Sequence, residues 1–372
     1  MRTALAELSQ FEDITQGGNV ASGDVGLWCS DAFDIWGPAT PPNQYGKHHN
    51  TFLSAKRALF IALLHAELTV DIVVEADIGP VLDSYKMIVL ADTHVSDAAA
   101  AALSKWVDAG GTLVATAGAG LQNEFNSSNT EMAALLGLDG HAMIEPEEGS
   151  IQFIKQDLRF SKPLTEVTWN GSAGATSAPV LGARHVFTPR AGTEVTARFA
   201  DEAAASTSLI VGKGRAIYYG WFIGLSYFLP AIPLRPADRG GTDQAFTHFV
   251  PSNFSVGVLE LVQNASMAAQ VQRQVVCSNR LVHGRAVVAK GGQAVVIPLT
   301  NWAGEKNLTG LRVNVTLAAV KPGMEATLAS GGAVHESPGG SVAKGVQFVV
   351  DHLEVADALI LRHKGGDGPP FP

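Results

Sequence analysis

Trp28, Cys29, Asp31, Asp34, Trp36, Tyr45, His48 and His49 crowd into one short stretch of this sequence, and Asp92 and His94 stand further along. Carboxylates and imidazoles move protons near neutral pH, so Asp31, His48, His49, Asp92 and His94 are the candidate acid–base residues. Aromatic faces flanked by carboxylates stack on and hydrogen-bond polyhydroxy ligands, which makes Trp28, Asp34, Trp36 and Tyr45 the candidate ligand-binding set. The competing reading is packing: an aromatic loop that covers a sheet end or meets a neighbouring domain, since interfaces enrich aromatic residues. Cys29, at a strand end, reads either as a nucleophile beside a histidine or as a small buried hydrophobe.

Two further chemistries are weighed and set aside. His48-His49 with Asp92-x-His94 offers ligands of the right type for a metal, but adjacent side chains diverge and no His-x-x-x-His pair occurs, so no metal site is expected. Gly118-x-Gly120 lacks the third glycine of a dinucleotide fingerprint, with Asn123 in its place, so no cofactor is expected.

The elements that must position these groups are plainest between Tyr85 and Gln122. Lys86 to Ala91 is an unbroken apolar run, the pattern of a strand buried on both faces. From Ser96 the period changes: Ala99, Leu103, Trp106 and Val107 recur three and four apart, with Ser96 as N-cap and Gly110-Gly111 as the stop. Thr112 to Thr116 is β-prone again and Ala117 to Gly120 breaks it. A strand–helix–strand unit forces parallel strands, and chemistry in such sheets gathers beyond their carboxyl ends, here near Asp92 to His94 and Thr116 to Gly120.

Upstream, residues 1–23 read as a poorly ordered lead-in, Asp24 to Cys29 as the first strand and Ser30 to His49 as a long loop. A helix from Asn50 or Thr51 to Ala66 follows, with Leu53, Phe60, Leu63 and Leu64 as its buried stripe, then a strand from Thr69 to Val74. A short helix is expected from Thr130 to Leu138. A β-rich insertion at about 150–205 leads through the turn Gly212-Lys213-Gly214 into a strand, Arg215 to Gly220, that completes the sheet. After a helix from Val256 to Gln272, closely spaced strands separated by Gly-rich turns suggest a small antiparallel sandwich over 274–363, ahead of a Gly/Pro tail at 364–372. The α/β domain thus spans 24–273.

Bulk properties narrow the function classes. The 372 residues are 46% apolar and 16% charged, enough for a substantial core. A net charge of -9 with no basic block argues against nucleic acid, and no apolar run is long enough to cross a membrane. No signal peptide is visible at the N-terminus. The two cysteines, Cys29 and Cys277, form neither a disulfide framework nor a metal pair. Asn126, Asn170, Asn253, Asn264, Asn307 and Asn314 each open an Asn-x-Ser/Thr sequon; they leave a secreted location open, and chance in a Ser/Thr-rich chain is the alternative.

Tyr85 to Leu90, Trp106 to Val114 and Gly212 to Gly220 together resemble the trimerisation domain of family-42 β-galactosidases, and Asp351 to Leu361 is similar to the end of the small β domain that follows it there. The resemblance implies a flavodoxin-like, class I glutamine-amidotransferase-like three-layer domain with a mostly parallel sheet, followed by a small antiparallel β-sandwich. In that family the region follows a catalytic (β/α) barrel, so the implied partners are further copies of the chain or such a barrel, with carbohydrate as the implied ligand. The sequence departs from the amidotransferase pattern, because it contains no Gly-x-Cys-x-Gly or Gly-x-Ser-x-Gly. It contains no barrel either, so no catalytic glutamate can be carried over. The expected role is a non-catalytic region that supports oligomerisation or shapes a carbohydrate site. The alternatives are a stand-alone hydrolase in the strand-end crevice, and a carbohydrate-binding module using Trp28, Trp36 or Trp302.

Overall fold

The computed structural model describes residues 2–36, 48–144, 163–231, 252–304, 307–338 and 345–363. The chain opens with two short helices, α1 (Arg2–Ser9) and α2 (Glu12–Thr15), and a strand, β1 (Asn19–Val20). The α/β region follows: β2 (Val25–Cys29), α3 (Asp31–Trp36), α4 (His48–His65), β3 (Val70–Val74), α5 (Ile78–Val81), β4 (Met87–Leu90), α6 (Asp97–Ala109), β5 (Thr112–Ala115) and α7 (Thr130–Leu135). Seven strands come next: β6 (Leu138–Ile144), β7 (Thr165–Gly171), β8 (Gly174–Val180), β9 (Arg184–Pro189), β10 (Glu194–Phe199), β11 (Ala204–Val211) and β12 (Gly214–Tyr219). Helices α8 (Ile223–Phe228) and α9 (Val256–Ala268) complete the region.

Among the described residues a nine-stranded sheet runs in the order β3-β2-β4-β5-β12-β11-β10-β7-β8. Its first five strands are parallel to one another, and from β12 onward every pairing is antiparallel. A mostly parallel sheet was the expectation; the sheet is mixed instead. The cause is local. Four strands of the β-rich stretch after residue 163, β7, β8, β10 and β11, add to the same sheet, through connections too short for a parallel crossover. β6 and β9 pair separately.

Successive strand residues point to opposite faces, and the burial follows that rule. Val25, Leu27, Met87, Val89 and Val114 pack with Leu59 and Leu63 of α4 and Val258, Leu259 and Val262 of α9. Trp28, Ile88, Leu90, Leu113 and Ala115 pack with Leu103, Trp106 and Val107 of α6. Helices therefore cover both faces. The N-cap expected at Ser96 forms, its hydroxyl accepting from the Ala99 N–H, and Gly110 closes α6 at φ 133°. The stripe of α4 is turned from the expected one: Phe52, Ala55, Leu59, Ala62 and Leu63 are buried, with Leu53, Phe60 and Leu64 only partly so.

Two expectations for the first fifty residues are corrected. Residues 31–36 of the anticipated loop are the helix α3, while 37–47 lie outside the described residues. The lead-in is not loose either. Ile14 is fully buried against Ala294, Val296, Ala358 and Ile360, Arg362 grips Asp13 with both terminal nitrogens at 2.7 and 2.8 Å, and β1 pairs with a strand near residue 288. Its partners are hundreds of residues away in sequence, so local composition carries no trace of them.

The C-terminal part consists of β13 (Val275–Cys277), β14 (Val282–Gly284), β15 (Val287–Val288), β16 (Ala294–Asn301), β17 (Leu308–Val315), β18 (Glu325–Leu328), β19 (Val334–Glu336), β20 (Val346–Leu353) and β21 (Ala356–Arg362). They form two antiparallel sheets, β1-β15-β16-β21-β18 with β14 on β16, and β13-β17-β20-β19. Val295, Ile297, Leu299 and Leu361 from the first share one core with Val313, Val315, Phe348 and Val350 from the second. Arg285 ties this part to the α/β region: it pairs with Asp71 and donates to the carbonyls of Val70 at 3.1 Å and Ala21 at 3.2 Å. Residues 364–372, the anticipated tail, lie outside the described residues.

Candidate functional site

The adjacent parallel strands β2 and β4 end side by side, and the chain beyond each turns over the sheet's carboxyl edge. Asp92, two residues past β4, is 2% exposed. Its Oδ2 accepts from the Ser30 N–H at 2.9 Å and from the Lys56 Nζ at 2.7 Å. The same ammonium donates to the Cys29 Sγ at 3.2 Å, so one lysine from α4 spans the ends of two strands. Burial pushes the Asp92 carboxyl up against the pull of Lys56 and the Ser30 N–H, and the nearby Asp34 carboxylate pushes the same way. Burial also works against the Lys56 ammonium, but Asp92 and then Cys29 outweigh it and hold the lysine above its ordinary value.

His94, 6% exposed, forms a second closed group. Its Nε2 lies 3.1 Å from the Asn126 amide oxygen and its Nδ1 lies 2.8 Å from the Thr93 hydroxyl. An amide oxygen only accepts, so Nε2 carries the proton and Nδ1 accepts from Thr93. Both ring nitrogens are engaged. Burial keeps the imidazole below its ordinary value, despite opposing pulls from Asn126, Asp92 and Glu75.

The turn after β5 completes the edge. Gly118 and Gly120 adopt φ 73° and 72°, a left-handed conformation suited to glycine. The Gly118 N–H donates to the buried Tyr218 hydroxyl at 2.9 Å, and the Gly120 N–H donates to the Asp92 carbonyl. A Cβ at Gly118 would fall 2.4 Å from the Met143 methyl, so the backbone is held close against side chains here.

The remaining candidates scatter. Trp28 is fully buried on the α6 face of the sheet, which leaves its ring no free face for a ligand: the alternation of β2 points residue 28 into the core. Trp36 is half-buried, its indole N–H donating to the Glu124 carbonyl at 2.8 Å, and this pins α3 to the loop whose Glu124 carboxylate caps α6 through the Asp97 N–H. Asp31 and Asp34 are exposed on α3. His48 and His49 lie in the first turn of α4, and Tyr45 lies outside the described residues. The structure thus brings Asp92 together with Cys29 and Lys56, and Phe33 beside His94 at 6.4 Å between rings. It leaves the aromatic set dispersed. Among the described residues no cluster of three or more His, Cys, Asp or Glu side chains could hold a metal, and no helix is long and apolar enough to cross a membrane.

Lys56 is the residue that sequence reasoning missed. Its signal was a charge set inside the apolar stripe of α4, between Phe52, Ala55 and Leu59, where a lysine is buried only with a partner.

No curated protein matches this sequence. Solved structures do match its fold. A β-galactosidase from Bacillus circulans sp. alkalophilus shares 14% identity at a TM-score of 0.59, over 95% of this chain and 43% of its own. An α-L-fucosidase isoenzyme 2 from Paenibacillus thiaminolyticus shares 12% at 0.59, over 96% and 51%. A polyextremophilic β-galactosidase from the haloarchaeon Halorubrum lacusprofundi shares 15% at 0.52, over 93% and 40%. The chain therefore spans about half, or less, of each of these enzymes. The family model described as the β-galactosidase trimerisation domain matches residues 46–227, from the start of α4 into α8, taking in the parallel strands β3, β4, β5 and β12 but not β2. Over those residues, just under half of its length, this chain is similar to the β-galactosidase trimerisation domain.

Proposed function

We propose that this chain is the non-catalytic, oligomer-forming region of a β-galactosidase-like glycoside hydrolase. It works beside a catalytic barrel carried elsewhere in the same protein or in an associated subunit. The observation that carries this reading is the match of residues 46–227 to the trimerisation-domain family. The strand-end geometry supports it: Asp92 is committed to Lys56 and Ser30, and both nitrogens of His94 are committed to neighbours. A glycosidase needs two carboxylates disposed across the sugar, one of them able to give up a proton. A carboxylate locked to a buried ammonium serves better as a strut.

In this reading residues 24–273 form an amidotransferase-like three-layer domain that has exchanged catalysis for assembly, and 274–363 form a small β-sandwich that braces it. Asp31, Asp34 and Trp36, at the rim of the crevice, are the groups through which the domain would shape a carbohydrate site completed by another domain or subunit. Light scattering on chromatographed protein tests the assembly role. A molar mass of three copies, stable on dilution, is expected; a single-copy mass across a wide concentration range would overturn it.

A further inference from the structure

Cys29 belongs to a cluster of three reactive groups. Its Sγ lies 3.2 Å from the Lys56 Nζ, and that nitrogen also holds the buried Asp92 carboxylate at 2.7 Å. Cys29 is half-buried at the end of β2. The thiolate is the form that attacks a peroxide, and here the donor facing the sulfur is an ammonium. The chain's other cysteine has neither property. Cys277 is 5% exposed, and burial, helped by Glu67, pushes its thiol up to about 12.

We propose that Cys29 and Lys56 are a redox modification site, joined by a reversible sulfur–nitrogen bond when the protein meets hydrogen peroxide. The Cys29 thiolate attacks one peroxide oxygen, the S–O bond forms and the O–O bond breaks. The departing hydroxide takes a proton from the Lys56 ammonium, leaving a sulfenic acid, a neutral amine and water. The amine lone pair then attacks sulfur, the S–O bond breaks, and the leaving hydroxide takes the second nitrogen-bound proton to give a sulfenamide and a second water. Sulfur has lost two electrons and one peroxide has been reduced. A thiol reductant returns the starting pair.

The bond has a consequence for the strut. A sulfenamide nitrogen carries no positive charge, so Asp92 keeps the Ser30 N–H but loses its cation in a site 2% exposed to water. The oxidised protein is therefore less stable, and the joint between β2, β4 and α4 is where it loosens. This site does not depend on the role proposed above.

Intact-mass measurement of the full chain after brief peroxide treatment tests the proposal, with peptide mapping. The expected product is lighter by two hydrogens, yields one peptide linking Cys29 to Lys56, leaves Cys277 free, melts at a lower temperature, and reverts with dithiothreitol. Cys29→Ser should give no linked product. Lys56→Arg keeps a cation for Asp92 but offers no primary amine, so its Cys29 should gain oxygen atoms instead. Wild-type protein that only gains oxygen at Cys29, or whose Cys29 stays a free thiol, would overturn the proposal.

Discussion

Two regions of this molecule use ion pairs to join segments far apart in sequence, and they do so in opposite surroundings. At the strand ends, Lys56 and Asp92 are 15% and 2% exposed. At the outer seams, Arg362 and Asp13 are 32% and 23% exposed, and Arg285 and Asp71 are 33% and 17%. A buried charge has no water to fall back on, so removing its partner is costly; a half-solvated charge rehydrates. The difference suggests what each region is for. The seams fasten the first twenty residues to the C-terminal sheets and those sheets to the α/β region, while the buried pair sits at the carboxyl edge of the parallel strands and fixes the sheet edge there.

The sharpest way to break that contrast is to remove the buried cation. Lys56→Ala leaves Asp92 buried without its counter-charge and is expected to cost about 3–5 kcal/mol in urea unfolding. A loss of the size seen at an exposed pair would erase the distinction.

The next largest effect is set by pH. His65 donates or accepts at 2.8 Å with the Tyr227 hydroxyl, and burial, then His283 and Arg280, push it down to about 4. The unfolded chain takes up this proton near pH 6.5 and the folded chain does not. The stability His65 contributes is therefore complete above about pH 6.5 and is lost as pH falls toward 4, by about 2–3 kcal/mol. His94 and His283, both held low by burial, act in the same direction. Melting temperatures across this range should fall with acid, and His65→Gln should flatten the slope.

The seams come last. Arg285→Ala gives up the pair with Asp71 and two carbonyl contacts, for an expected loss of about 1–3 kcal/mol. Arg362→Ala is expected to cost only about 1 kcal/mol. Its clearer sign should be faster hydrogen exchange in residues 12–20 with the rest of the fold unchanged. A global loss matching that of Lys56→Ala would put the seam and the strand ends on one footing.

The same contrast explains what the sequence made legible. The β4-α6-β5 unit was readable because its signals are local: an apolar run, a serine cap whose bond to Ala99 forms as expected, and a glycine stop. Asp92 and His94 were readable too, since a parallel strand puts whatever follows it at the carboxyl edge. Lys56 was not, because its partners lie 27 and 36 residues away and meet it only after the sheet assembles. The lead-in was misread for the same reason: Asp13 meets Arg362 across 349 residues. Trp28 was misassigned by composition. An aromatic residue near a crevice looks like a ligand platform until strand alternation turns it inward.

The most direct test of the strut is a stability cycle across the buried pair, comparing Lys56→Met, Asp92→Leu and the double replacement by urea unfolding. If the pair holds the sheet edge, each single change is costly, the double protein recovers much of the loss, and the coupling is about 2 kcal/mol or more. Additive losses would contradict the account, because two groups that do not depend on each other cannot be the link that closes the ends of β2 and β4.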